Sequence, residues 1–191
     1  MTTTWAKPAT VLAAALLAGT AATGCGSSLP TTAEAASTDT AETVCGVLRR
    51  WDNELSDVMN ATAATITDAD DPATANGDLL DGYDATIALA EDHVAEAEAL
   101  DLPAVPERER LLDELRAGAE DAVEGLRDDR DAAADLPAID VSGQAGAVGG
   151  AMLAIERAQS SVEPSIGEYD DESLRRAFAE EEGCEFVVQP F

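Results

Sequence analysis

The chain has 191 residues, of which 39 are Asp or Glu and 11 Lys or Arg, with one His, three Cys and 39 alanines. A net charge of −28 argues against a nucleic-acid binder, since phosphates are held by Lys and Arg that displace counterions. It argues equally against adhesion to anionic lipid headgroups through a basic patch. Hydrophobic residues are 46% of the chain, enough for one core. So many are alanine, which buries little area per side chain, that stability per residue is expected to be modest.

Residues 1–24 read as a targeting segment. Lys7 precedes the apolar run Val11-Leu12-Ala13-Ala14-Ala15-Leu16-Leu17-Ala18, which falls short of the roughly 20 residues that span a bilayer. A positive start, a short apolar stretch and then small residues describe an export signal. The stretch Ala22-Thr23-Gly24-Cys25 resembles the lipobox of bacterial lipoproteins, with Ala22 where Leu or Val is usual. That resemblance implies that Cys25 is acylated and becomes the first mature residue, anchored on the outer face of the cell membrane. A plain secretory signal cut near Ala22, with Cys25 an incidental thiol, is the competing reading. Either cut leaves ten Arg and no Lys, which removes Schiff-base, P-loop and acetyl-lysine chemistry.

Cys45 and Cys184 then form an even pair in an oxidising compartment, and a disulfide between them is expected. It would tie the first helix to the C-terminal segment. Two free thiols or a metal site compete, but no C-x-x-C and no His near either Cys speaks against zinc.

Residues 25–38 read as a flexible tether, small and polar with Pro30 and no apolar period, and 39–191 as the helical domain. Asp39 with Glu42 suggests a capping box. Val44, Val47, Leu48, Trp51, Leu55, Val58, Met59 and Ile66 follow at steps of three and four, one stripe of a first helix. Asp68-Ala-Asp-Asp-Pro72 ends it. Leu79, Leu80, Tyr83, Ile87, Ala90, Val94 and Ala97 mark a second helix, stopped at Asp101-Leu-Pro103. Pro106 suits the first position of a third helix, whose buried side is Leu111, Leu112, Leu115, Ala119, Ala122, Val123 and Leu126. Ser142 to Val162 reads as a fourth helix weakened by Gly143, Gly146, Gly149 and Gly150. A short fifth runs from Asp171 to Glu182 with Leu174 and Phe178 inward, Gly183 suits its C′ position, and the apolar tail 185–191 is expected to lie back on the helices. The expected fold is all-α, an up-down-up-down antiparallel four-helix bundle with a short fifth C-terminal helix. In Ala, Asp and Arg usage the domain is similar to small helical lipoproteins of bacteria with GC-rich genomes, a likeness that carries no catalytic residue with it.

The search for chemistry returns exclusions. No H-E-x-x-H, G-x-S-x-G, G-x-G-x-x-G or Walker pattern occurs, no cofactor is implied, and the protein reads as non-catalytic. His93, beside Asp92 and three residues before Glu96, reads as a surface histidine screened by acids. Asp68, Asp70 and Asp71 fail the EF-hand test, with Ala73 and Leu79 where Gly and Glu are needed, and read as a polar turn. The pairs Arg49-Arg50 and Arg175-Arg176 read as ordinary salt-bridge formers. On the fourth helix Gly143, Ala147, Gly150, Ala154 and Ala158 share a face. Close helix packing is the simpler account; a groove is the other, and any ligand or partner is expected near Gly150, Ala154 and Ala158. The function that remains is a lipid-anchored envelope module that binds a protein partner or small ligand. A structural spacer whose acidity keeps it soluble and loosely buffers cations is the alternative.

Overall fold

A computed structural model describes residues 31–135, 141–182 and 184, with backbone alone at 141–145, 147 and 148. These residues form five α-helices and a 3₁₀ turn, with no strand among them: α1 Thr32–Asp68, α2 Pro72–Ala99, α3 Arg108–Ala134, α4 Val141–Ser161, the turn Ile166–Glu168, and α5 Glu172–Glu180. The all-α expectation therefore holds.

The start of α1 corrects the expected tether. Thr31 caps the helix and forms a capping box with Glu34: Glu34 N donates to Thr31 Oγ1 at 3.2 Å, and Thr31 N donates to Glu34 Oε2 at 2.8 Å. Residues 32–38 are thus helical, and Asp39 lies inside the helix rather than at its cap. Threonines on this polar stretch do not unwind it because their hydroxyls donate to carbonyls four residues back, Thr38 to Glu34, Thr40 to Ala36 and Thr43 to Asp39, so they leave the backbone ladder intact. Ser37, Thr40 and Ala41 are buried, which lengthens the apolar stripe that begins in sequence at Val44.

The turn between α1 and α2 is the one expected. Asp71 Oδ1 accepts from Ala73 N at 2.9 Å and Thr74 N at 3.0 Å, with Pro72 opening α2. α3 begins two residues later than Pro106 suggests, at Arg108. Arg108 also donates from Nε to Leu102 O at 2.9 Å and pairs with Asp101, closing the 100–107 connection. Asp171 caps α5 through Ser173 N and Leu174 N. Gly183 and residues 185–191 lie outside the described residues.

α1 packs against α2, α4 and α5, α2 against α3, and α3 against α4. Two glycines permit the closest approaches. A Cβ on Gly82 would overlap the Thr62 side chain of α1, and one on Gly118 would meet backbone at Ser161 and Val162, where α4 ends. The core falls into two clusters. One gathers Val44, Cys45, Leu48, Trp51, Leu111, Leu115, Tyr169, Leu174 and Phe178. The other gathers Leu55, Met59, Ile66, Leu79, Tyr83 and Leu126 with seven alanines, 75, 90, 122, 133, 151, 154 and 158. Cys45 and Cys184 stand at disulfide distance in the first cluster, Cα–Cα 5.4 Å apart. No described helix is long and apolar enough to cross a membrane.

Candidate functional site

Between α1 and α2, steps of three or four residues bring Arg50, Trp51 and Glu54 opposite His93 and Glu96. The Trp51 and His93 rings stack with centroids 4.8 Å apart and planes 12° from parallel. Trp51 Nε1 donates to Glu96 Oε2 at 2.8 Å, and the Arg50 guanidinium pairs with the other oxygen of Glu96. Arg50 Nε also lies 3.9 Å from Glu54 Oε1, while His93 Nε2 lies 3.0 Å from Glu54 Oε2. Arg50 therefore pairs with both carboxylates that hold the aromatic pair, more closely with Glu96 than with Glu54. A carboxylate only accepts, so His93 Nε2 carries the proton, and Nδ1 of the neutral ring is an acceptor.

This corrects the sequence expectation for His93. Acids do surround it, but the side chain is 5% exposed and belongs to the interior. Burial holds its imidazole below the ordinary range, outweighing the Glu54 hydrogen bond and the Glu54 and Glu96 charges that favour protonation. Burial also acts to raise Glu96, yet the hydrogen bonds from Trp51 and Arg50 prevail and its carboxyl sits below the usual value. The signal was present in sequence: His93 continues the Thr86, Ala90, Ala97 row of buried positions.

The same two rings border a cavity of about 230 Å³ at the seam between the core clusters. Its inner wall is Leu48, Trp51, Leu55, Ala90, His93, Ala119, Ala122 and Ala158, all buried. Four helices supply that wall, and four of its eight residues are alanines, whose short side chains leave the space unfilled. Asp52, Glu156, Ser160 and Glu163 form the exposed mouth. Partial desolvation lifts the Glu163 carboxyl above its ordinary range. Gln159 spans the mouth, donating from Nε2 to Ser56 Oγ at 3.3 Å and to Asp52 O at 3.4 Å.

The Gly150, Ala154, Ala158 stripe does not form one open groove. Gly150 is exposed with open space around it, whereas Ala154 and Ala158 are 1% and 4% exposed, packed in the second cluster. Of the three, Ala158 alone lines the cavity; Ala154 borders a second hollow whose lining includes Asp129 and Arg157, paired at 2.6 Å. Cys25 lies outside the described residues. Among the described side chains of α4, the large apolar ones that are exposed are instead Met152 and Leu153, at 52% and 59%.

Hydroxyls near the cavity are tied elsewhere. Ser160 Oγ donates to Glu156 O at 2.9 Å, and Ser56 Oγ accepts from Gln159, so neither is hydrogen-bonded to His93 as a nucleophile would be to its base. The other sequence candidates resolve as local structure. Asp71 is a helix cap, its carboxyl held low mainly by the Thr74 backbone amide. Arg49 and Arg175 donate to the Glu182 and Tyr169 carbonyls, and Arg176 pairs with Glu172 at 3.4 Å. Among the described residues no three His, Cys, Asp or Glu side chains come together to hold a metal ion.

A second polar knot went unseen in sequence. Arg110 lies over the Tyr169 ring, 4.6 Å from its centroid, and pairs with Glu114 at 2.8 Å. Glu114 Oε2 accepts from Tyr169 OH at 3.0 Å and Ser165 N at 2.8 Å. Burial first, then the Glu114 hydrogen bond, pushes the phenol far above its ordinary range. No local periodicity marks Tyr169, which sits in the short connection between the 3₁₀ turn and α5, and its partners come from α3.

No family model, curated protein or solved structure matches the chain.

Proposed function

We propose that the protein is a lipid-anchored, extracytoplasmic helical module that holds a small ligand without transforming it. Its frame is an up-down-up-down antiparallel four-helix bundle with a short fifth helix, stapled by a Cys45–Cys184 disulfide. The observation that carries the ligand reading is the seam cavity, apolar inside, polar at its mouth, and faced by an aromatic pair that a five-residue polar network holds in place. Binding sites combine an apolar enclosure with a few placed polar groups in this way. The neighbour pattern α1–α2–α3–α4–α1 supports the bundle. Cys25, in its lipobox-like setting, supports the anchor.

Two tests separate the parts. The full-length chain carrying Trp5→Phe keeps Trp51 as its only tryptophan. Titration with soluble aromatic and aliphatic fragments of up to about twelve non-hydrogen atoms, a size set by cavities of this order, should change Trp51 emission saturably. Ala122→Leu, which fills the cavity, should abolish the response. Saturable binding by no fragment would contradict the reading. For the anchor, Cys25→Ser should abolish fatty-acid incorporation and membrane fractionation together; retention of both in that variant contradicts it.

Met152 and Leu153 support a protein partner as a second reading, since they place two large apolar side chains side by side on an exposed face. Capture of an envelope protein that is lost in Met152→Ser/Leu153→Ser would favour it.

A further inference from the structure

From the wall and mouth of the cavity together, we infer that its ligand is a small organic cation: a protonated amine on an apolar body of about a dozen non-hydrogen atoms or fewer, the size that this order of cavity admits. The inference rests on the ligand reading above and adds the ligand's charge and size. Every ionisable residue at the mouth, Asp52, Glu156 and Glu163, is acidic, and no Arg or Lys lines the cavity at any depth. The nearest basic side chain of the aromatic network, Arg50, is engaged by Glu96 and Glu54. An anion entering here would meet uncompensated repulsion, while a cation passes three carboxylates on its way to an apolar floor.

The floor also suits a cation. Trp51 offers the most electron-rich of aromatic rings, and cations are attracted to such a ring when water is excluded. His93 is neutral because it is buried, so it places no positive charge beside an incoming one. Its Nδ1 is an acceptor with no hydrogen-bond partner among the described residues, and it is not sealed off, the one sealed orphan polar atom being Asn76 Oδ1. An acceptor of that kind is satisfied by the N–H of an ammonium group. The carboxylates are spread around the rim rather than converged, and no three acidic, His or Cys groups meet among the described residues. That arrangement fits a diffuse organic charge better than a compact divalent ion, which demands several oxygens at short range.

The test uses the full-length Trp5→Phe chain and three soluble probes sharing one ring: benzylamine, benzyl alcohol and benzoate. Benzylamine is expected to bind at least about tenfold more tightly than benzyl alcohol, the scale of a desolvated cation–aromatic contact with rim charge, with benzoate weaker still. Asp52→Asn/Glu163→Gln, both at exposed positions, should cut the amine preference several-fold and leave benzyl alcohol unchanged. Ala122→Leu should abolish binding of both. Equal affinity for benzylamine and benzyl alcohol overturns the cation inference while leaving a ligand cavity standing. Benzylamine binding that survives Ala122→Leu, in a variant whose helical circular dichroism matches the parent, places the amine on the acidic surface and also overturns it. No binding of any probe overturns both the inference and the ligand reading.

Discussion

The two core clusters are built from different materials. The first holds Trp51, Tyr169, Phe178 and five buried leucines beside the Cys45–Cys184 pair. The second is leaner, with alanine at nearly half its buried positions. Large side chains reached from four helices and a loop make the first cluster a packed knot, reinforced by Arg110, Glu114 and Tyr169. In the second, alanines let helices approach but cannot fill the interior wherever the axes diverge. The cavity lies where one regime gives way to the other, bounded by Leu48, Trp51 and Ala119 from the first and Leu55, Ala90, Ala122 and Ala158 from the second. The difference teaches that a small-residue core is not uniformly open. It is tight at Ala151 and Gly118, and hollow a turn or two away.

The largest effect expected from breaking this contrast is at the staple. A sequence separation of 139 residues gives a disulfide about 5 kcal/mol in the chain-entropy model. Reduction, or Cys184→Ser, should therefore lower the thermal midpoint steeply while helical circular dichroism at low temperature persists. An unchanged midpoint would remove the first cluster's claim to be the anchor of the fold.

Next in size are substitutions that probe tight against hollow. Ala151→Leu, at a fully buried position, should cost about 1–3 kcal/mol by overpacking, as should Gly118→Ala, whose new Cβ would meet the backbone of Ser161 and Val162. Ala122→Leu puts the same added volume into the cavity and should fall within about 1 kcal/mol of the parent, as added volume does where there is room for it. Denaturant midpoints for the three variants decide it, and equal losses for Ala151→Leu and Ala122→Leu would show that no usable space exists at the seam.

How much of this was legible in sequence follows from the same contrast. The long amphipathic helices, the turn at Asp68-Ala-Asp-Asp-Pro72 and the inward Leu174 and Phe178 were readable because each depends on neighbours within a turn or two. The proximity of Cys45 and Cys184 was readable because only one intradomain pair is available once Cys25 is set aside. His93 was misplaced because its acidic neighbours in sequence suggested solvent, whereas the ring is claimed by Trp51 and Glu54 from another helix. The helical stretch 32–38 was missed because threonines lower helix propensity locally, and their back-bonding to the preceding turn offsets it. Tyr169 and the cavity itself have no local signature. Both arise from which helices meet, and a row such as Ala90, Ala119, Ala122 and Ala158 spells packing or space only once its partners are known.

Smaller effects sharpen the lean side. Gly149 and Gly150 are exposed helical positions with open space where a Cβ would go, so Ala at either should stabilise by up to about 1 kcal/mol through propensity alone. Loss of stability there would mean that α4 needs those glycines for something the packing does not show. On the aromatic pair, pH supplies the probe. His93 is held below its ordinary value of 6.5 by burial, so the unfolded chain takes up its proton first. Stability should therefore decline as pH falls below about 6.5. Glu96, held below 4.5 by Trp51 and Arg50, adds a further loss only under more acidic conditions, once its unfolded form begins to protonate. In His93→Gln the decline between pH 6.5 and 5 should flatten relative to the parent when both are followed by thermal midpoint.

The most direct test of the seam cavity is methyl NMR of the alanine-labelled protein under xenon pressure, since xenon enters apolar cavities without needing any particular polar partner. The expected result is saturable shifts at the Ala90, Ala119, Ala122 and Ala158 methyls, with Ala75 and Ala133, in the same lean cluster but away from the cavity, unmoved. Shifts spread evenly over all these alanines, or none at any of them, would contradict a cavity at the junction of the two cores.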